Sequence, residues 1–357
     1  MNAASSPHAP RLRRQLILWL FSGCFLVFGM VVVGGITRLT GSGLSITEWN
    51  VITGTIPPLN EAQWIEEFDK YKQIPQYSRL NAHFSLSDFK FIYFWEYIHR
   101  LFGRMVGLVF VVGLVYFLMR KAISRELMPK LLFMFVLGGI QGFLGWYMVS
   151  SGLTQNVRVS HFRLAIHLTF AFITFGYIFR VALGQLYPNR VVSNGSLRPL
   201  QKQTSLLILL LLVQIVYGAF VAGTKAGWTY NTWPDMGGEW IPESIPFAFE
   251  KDGWSSLVNN LASIQFIHRM LAYLLFAWIS WFVVRGLRDP ALQPPQRNGL
   301  WILMAGIIAQ VVLGILTLVL QVPVWMGVTH QALGFLLFGT LIFIHHRLRF
   351  DSMQPVA

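Results

Sequence analysis

Cysteine and acid are what this sequence has least of. Its one cysteine, Cys24, lies inside an apolar run, which leaves no intrachain disulfide, no Cys-based metal site and no signal of redox compartment. Charged residues make up only 12% of the 357 positions and hydrophobic residues 54%, too little polar surface for a soluble protein of this length, so the chain reads as a polytopic membrane protein. A cleavable leader is not expected either. Met1 to Gln15 is short, polar and basic, the apolar run behind it is too long for a signal peptide, and the segment is too short for an organelle transit sequence. Acids number 15 against 28 Lys and Arg, a net charge of +13 that would suit nucleic acid, but the bases are sorted by loop and argue against that partner.

Apolar runs long enough to cross a bilayer, about 17 to 25 residues, occur near 16–36, 91–119, 130–150, 162–184, 204–223, 257–284, 299–321 and 325–346. An even number of spans puts both termini on one side. That side carries Arg11, Arg13 and Arg14, then Arg120, Lys121, Arg125 and Lys130, then Arg180, Arg190, Arg198 and Lys202, and later Arg285, Arg288, Arg297, Arg347 and Arg349. Its only acids are Glu126, Asp289 and Asp351, so the positive-inside rule makes it cytoplasmic. The long loops 37–90 and 224–256 fall outside. Thr37 to Ser45 and Ala226 to Met236 mix aromatic residues with turn formers, which predicts ordered caps rather than disorder.

The chain repeats itself. Glu96-Tyr-Ile-His-Arg100 returns as Gln265-Phe-Ile-His-Arg269, and Gln141-Gly-Phe-Leu-Gly145 returns at the same offset as Gln310-Val-Val-Leu-Gly314. An all-α integral membrane protein is expected, with eight transmembrane helices arranged as two tandem four-helix bundles. Residues 1–186 form one half and 204–357 the other, joined by a cytoplasmic linker over 187–203. Four spans per half give both copies the same orientation, hence a pseudo-twofold axis along the membrane normal.

Each even-numbered span carries a histidine near its outer end: His99, His167, His268 and His330. A lone histidine in a span is as readily a packing residue as a ligand. Four at matching places favour cofactor or metal ligation. Each is followed one turn later by Gly103, Ala171, Ala272 or Gly334, which leaves room for a flat macrocycle and equally serves close helix packing. Copper or zinc prefers a compact site, often with Cys, Asp or Glu, and the spans hold one acid, Glu96. Two bis-histidine haems, one pairing His99 with His167 and one His268 with His330, use every ligand symmetrically. Arg100, Arg104 and Arg269 stand near these sites and are candidates for haem propionates, with snorkelling or interhelical bonding as the alternative. His8, His83, His161, His345 and His346 read as ordinary interface or loop residues.

These residues together resemble the heme A synthase family, in its mitochondrial and alphaproteobacterial branch. The likeness runs from about Leu16 to His346 and rests on Gly34-Gly-Ile-Thr-Arg-Leu-Thr-Gly-Ser-Gly-Leu-Ser45, Glu96 to Arg100 with Gly103-Arg104, His167, Gly218-Ala-Phe-Val-Ala-Gly223, Asn231 to Met236, Ile267-His-Arg269 and His330-Gln331. The resemblance implies an oxidoreductase of the bacterial inner membrane that converts the C8 methyl group of heme O to the formyl group of heme A for cytochrome c oxidase. It implies that His99 and His167 flank the substrate haem, that His268 and His330 ligate a heme b cofactor, and that Glu96 is the essential acid. The cysteine pair that some members carry in the first outer loop is absent, so no thiol role transfers. Gln265 keeps the shape and hydrogen bonding of Glu96 without charge, which assigns the chemistry to the first half, where an acid can relay protons or stabilise developing charge. Expected partners are heme O, its synthase, an electron donor or acceptor, cytochrome c oxidase assembly factors, the bilayer and a second copy of the chain. The rival readings are a dihaem b-type electron carrier and a haem transporter or chaperone.

Overall fold

The computed structural model describes residues 9–50, 53–153, 157–187, 189–192, 195 and 197–354. Eleven helices carry the fold: α1 (Ala9–Leu39), α2 (Glu61–Lys72), α3 (Leu86–Met119), α4 (Met128–Ser150), α5 (His161–Leu186), α6 (Arg198–Thr224), α7 (Ser244–Asp252), α8 (Ser256–Asn259), α9 (Leu261–Leu287), α10 (Pro294–Val319) and α11 (Val324–Arg347). All but α2, α7 and α8 are long and apolar enough to cross a membrane, eight in all. Their starts are written in the sequence. Ser85 and Asp88 form a capping box on α3, Asn60 and Asn260 accept the N–H of Gln63 and Ser263, and α4, α6 and α10 open on proline, whose missing N–H costs nothing in a first turn.

In the first half α1 packs on α3 and α5, and α4 packs on α3 and α5, closing a ring of four spans. The second half closes the same ring from α6, α9, α10 and α11. The halves meet through α1 with α11, α5 with α6, and α5 with α11. At this last contact the helices exchange equivalent groups. A Cβ on Gly176 of α5 would lie 3.1 Å from the Phe338 ring, and one on Gly339 of α11 would lie 3.3 Å from the Phe175 ring. Phe172, Phe175, Phe335 and Phe338 fill the centre, with Phe175 and Phe335 centroids 4.2 Å apart. Within the bilayer it is the close packing of these rings, not their removal from water, that holds the helices together, and the glycines are what let the helices approach closely enough for it.

Polar ties lock the same seam. Arg38 at the end of α1 donates Nη2 to the carbonyls of Ala222 and Gly223 (both 2.7 Å), which are among the last, otherwise unpaired, acceptors of α6. Gln331 of α11 donates to Val31 O at 2.7 Å, and His161 Nε2 lies 2.9 Å from Val258 O. The linker is more ordered than a loop: β1 (Asn189–Val192) pairs antiparallel with β2 (Phe350–Gln354), tying it to the C-terminal segment.

The described part of the first long loop is an ordered cap, as its composition suggests. Trp64, Phe68 and Tyr71 recur on one face of α2 and pack with Leu44, Phe89, Ile92 and Tyr93 against the N-terminal end of α3. Tyr71 is fully buried, and burial pushes its phenol up to about 12, so it stays protonated, donating to Gln76 and accepting from Asn81. The cap thereby has a core of its own directly above the site.

Candidate functional site

Glu96 is 3% exposed and surrounded by donors. Its Oε2 accepts from Ser45 Oγ (2.8 Å) and the Ile46 N–H (2.9 Å), and its Oε1 from Arg100 Nε (3.1 Å) and Nη2 (2.6 Å). Arg100 in turn donates to Ile46 O (2.8 Å) and Glu48 O (2.7 Å) and stacks on Trp49. The acid and the base thus clamp the segment Ser45 to Trp49 onto α3, one turn from His99. Arg104 continues the line, donating to Asn50 O at 2.8 Å.

The second half uses the same positions on a different loop. Gln265 donates to Tyr230 O (2.9 Å), while Arg269 donates to Tyr230 O, Thr232 O and Asp235 O. Shape is conserved between Glu96 and Gln265, but hydrogen bonding is not: Glu96 only accepts, from four donors, and Gln265 donates. The expectation that the two residues are hydrogen-bonding equivalents is therefore corrected. The cause is the loop above each, which offers a hydroxyl and an N–H in the first half and carbonyls in the second.

The four histidines each lie half-buried against a glycine of the preceding span. A Cβ on Gly34 would meet His99 Cε1 at 3.0 Å, on Gly145 His167 Cε1 at 3.2 Å, on Gly218 His268 Cε1 at 3.3 Å, and on Gly314 His330 Cε1 at 2.8 Å. A methyl at Gly314 would force the His330 ring to shift, and one at each of the other three would crowd the ring it faces. One turn before three of these glycines sits a glutamine. Gln141 Nε2 donates to His167 O (3.2 Å), Gln214 Nε2 to His268 O (3.1 Å) and Gln310 Nε2 to His330 O (3.1 Å). The same amide nitrogens lie 3.3 to 3.5 Å from the ring nitrogens, longer contacts that orient the imidazole more weakly. The sequence reading singled out Gln141 and Gln310 as repeat markers without assigning them a task. It missed Gln214 and the Gly34 cradle, although a Gln-x-x-x-Gly spacing in three odd-numbered spans carried the signal.

The residues fit haem better than a compact metal site. Among the described residues no group of three or more His, Cys, Asp or Glu is placed to hold an ion. His99 and His167 lie within each other's electrostatic reach, as do His268 and His330. Nδ1 of His99, His268 and His330 is buried without a hydrogen-bond partner, a state that costs about 1 to 3 kcal/mol in a bare protein and suits a ring held by something other than the chain. Two imidazoles with no thiolate and no free carboxylate form the donor set of a bis-histidine haem. The remaining histidines have other surroundings: His83 packs on Phe84, His161 on Phe162 and Phe220, His346 on Phe350, and His345 lies 3.5 Å from Arg180. His8 falls outside the described residues.

Among the described residues, fold and site define an all-helical membrane protein with eight candidate spans, four of which carry a histidine seated against a glycine of a neighbouring span. Residues 17–342 match the COX15-CtaA family, cytochrome oxidase assembly protein. The chain is 46% identical to a heme A synthase of Flavobacterium psychrophilum over 338 residues, covering 94% of this chain and 98% of the relative. It is likewise 46% identical to a heme A synthase of Flavobacterium johnsoniae over the same shares, and 44% identical to one of Rhodospirillum centenum over 355 residues, 97% of this chain and 92% of that one. The protein belongs to this family of cytochrome oxidase assembly proteins.

Proposed function

We propose that the protein is a heme A synthase, a multi-pass oxidoreductase that converts the C8 methyl group of heme O to a formyl group. The observation that carries this reading is the set of four glycine-seated imidazoles, paired within halves, in a chain alignable with heme A synthases over nearly its whole length. His99 and His167 would hold heme O in residues 1–186. His268 and His330 would hold a heme b in residues 204–357, and that group supplies a one-electron relay when bound. The halves are taken as copies about an axis along the membrane normal, which the reciprocal Phe175–Gly339 and Phe338–Gly176 packing supports.

Each residue's task follows from its contacts. Oxidising a methyl carbon to a formyl withdraws electrons from it, so negative charge held nearby lowers the energy of the electron-poor state. Glu96 is the acid placed to supply that charge, and its clamp on Ser45 and Ile46 holds the cap onto α3. Arg269 Nε is left buried without a partner after its loop contacts, and Arg269, Arg100 and Arg104 are assigned to the propionates. With the formyl oxygen taken from water, the conversion releases four electrons and four protons; the electrons leave to an acceptor of the membrane and the protons to solvent. Heme O arrives from its synthase and heme A passes to oxidase assembly factors, with both termini cytoplasmic and the haem sites toward the outer face. Self-association in the bilayer belongs to the same proposal.

Co-expression with a heme O source tests the reading. Pigment extracted from the membranes is expected to contain heme A by mass spectrometry; heme O alone, with the protein folded and pigmented, would leave an electron carrier or haem carrier in its place.

A further inference from the structure

The four histidine cradles are built on one plan and depart from it once. Gln141, Gln214 and Gln310 each stand four residues before the glycine that seats a histidine, and each donates to that histidine's carbonyl from the neighbouring helix. In the cradle of His99 the glycine is Gly34, and four residues before it stands Met30. A second contact confirms the register. A Cβ on Gly334, one turn past His330, would lie 3.3 Å from Gln310 Nε2, and a Cβ on Gly103, one turn past His99, would lie 3.7 Å from Met30 Cε. Met30 therefore occupies the glutamine's place.

A thioether donates no hydrogen bond and bends easily about three torsions. With Met30 in that place, His99 receives from it no amide at its carbonyl or near its ring nitrogens, whereas each of the other three histidines has such an amide from its glutamine. We propose that His99 is the one imidazole of the four free to swing away from its ligating place, and that Met30 is the positioning residue that leaves it free. This rests on the functional reading above and extends it to substrate exchange. A haem that stays for the life of the protein is best held by two oriented rings, and in the second half Gln214 and Gln310 each bond the histidine's carbonyl and lie 3.4 to 3.5 Å from its ring. A haem that must enter as substrate and depart as product needs one ligand that lets go, while Gln141 keeps the other, His167, in place.

The test is haem release rather than turnover. Full-length protein purified with its haems in detergent is mixed with excess apomyoglobin, and the haem captured over time is identified by mass spectrometry. Wild type is expected to release heme O or heme A faster than heme b. Met30→Gln supplies the missing donor and should slow the release of heme O and heme A by roughly two- to tenfold, the worth of one net hydrogen bond. Met30→Leu, which adds no donor, should release at the wild-type rate, and Gln214→Met should speed the release of heme b by a similar factor. Unchanged release in Met30→Gln overturns the proposal. If that variant fails to accumulate, Gln214→Met decides alone, and unchanged heme b release in it overturns the proposal equally. Wild type that carries heme b but neither heme O nor heme A, even with a heme O source, sinks the functional reading and this inference with it.

Discussion

Replacing Glu96 by glutamine is the sharpest perturbation the site offers. Four donors converge on the carboxylate, from Ser45, Ile46 and twice from Arg100. An amide has one accepting oxygen, so whichever way it turns, its nitrogen faces N–H or O–H groups. The pair is buried, with side-chain exposures of 3% for Glu96 and 10% for Arg100, and breaking a buried pair from one side costs about 3 to 5 kcal/mol. Arg100 keeps the carbonyls of Ile46 and Glu48 and its stacking on Trp49, which puts the loss near the lower end, about 3 kcal/mol. Since 1.4 kcal/mol is a factor of ten, the local opening constant of the cap should rise on the order of a hundredfold. Hydrogen exchange reads this directly, because the Ile46 N–H is itself one of the four donors. Peptides covering Ser42 to Asn50 should exchange roughly a hundredfold faster in Glu96→Gln, and heme A formation should fall by about the same order. Wild-type protection of this segment in the variant would refute the clamp.

The cradle distances rank a second series. Gly314→Ala puts a methyl 2.8 Å from His330 Cε1, a contact that forces the ring to move, whereas Gly218→Ala puts one 3.3 Å from His268 Cε1. Overpacking of this kind costs about 1 to 3 kcal/mol, so heme b content per protein, measured as the pyridine haemochrome, should drop clearly in Gly314→Ala and little in Gly218→Ala. Topology gives a third: reporter fusions after Arg120 or Arg285 should report cytoplasm, and fusions near Gln73 or Lys251 the outside. The reverse pattern would move the haem sites to the cytoplasmic half.

The spans were legible because bilayer crossing demands long apolar runs, and each expected run lies within or nearly within an observed helix. Several helix starts lie outside the expected runs, α1 at Ala9 and α6 at Arg198, since hydropathy stops at the first charges while backbone hydrogen bonding continues past them; the runs 257–284 and 299–321 overshoot instead, starting before α9 and ending after α10. α2 was legible in principle from the spacing of Trp64, Phe68 and Tyr71, but a short helix inside a loop leaves no bilayer-length signal. The four histidine positions stand out because the chain repeats. What could not be read is what faces them. Nothing in sequence order says that Gly34 lies on His99 or that Arg38 reaches Gly223, contacts set by how the helices pack. The same limit explains Glu96, whose partners Ser45 and Ile46 come from a loop whose path no periodicity encodes.

The account stands or falls on which histidines serve which haem, and pigment extracted from two variants measures it. His99→Ala, co-expressed with a heme O source, is predicted to retain heme b and to form no heme A. His268→Ala is predicted to lose heme b while the first half keeps its own imidazoles. If both folded variants lose both haems alike, or if His99→Ala still yields heme A, the division of labour between the halves is wrong.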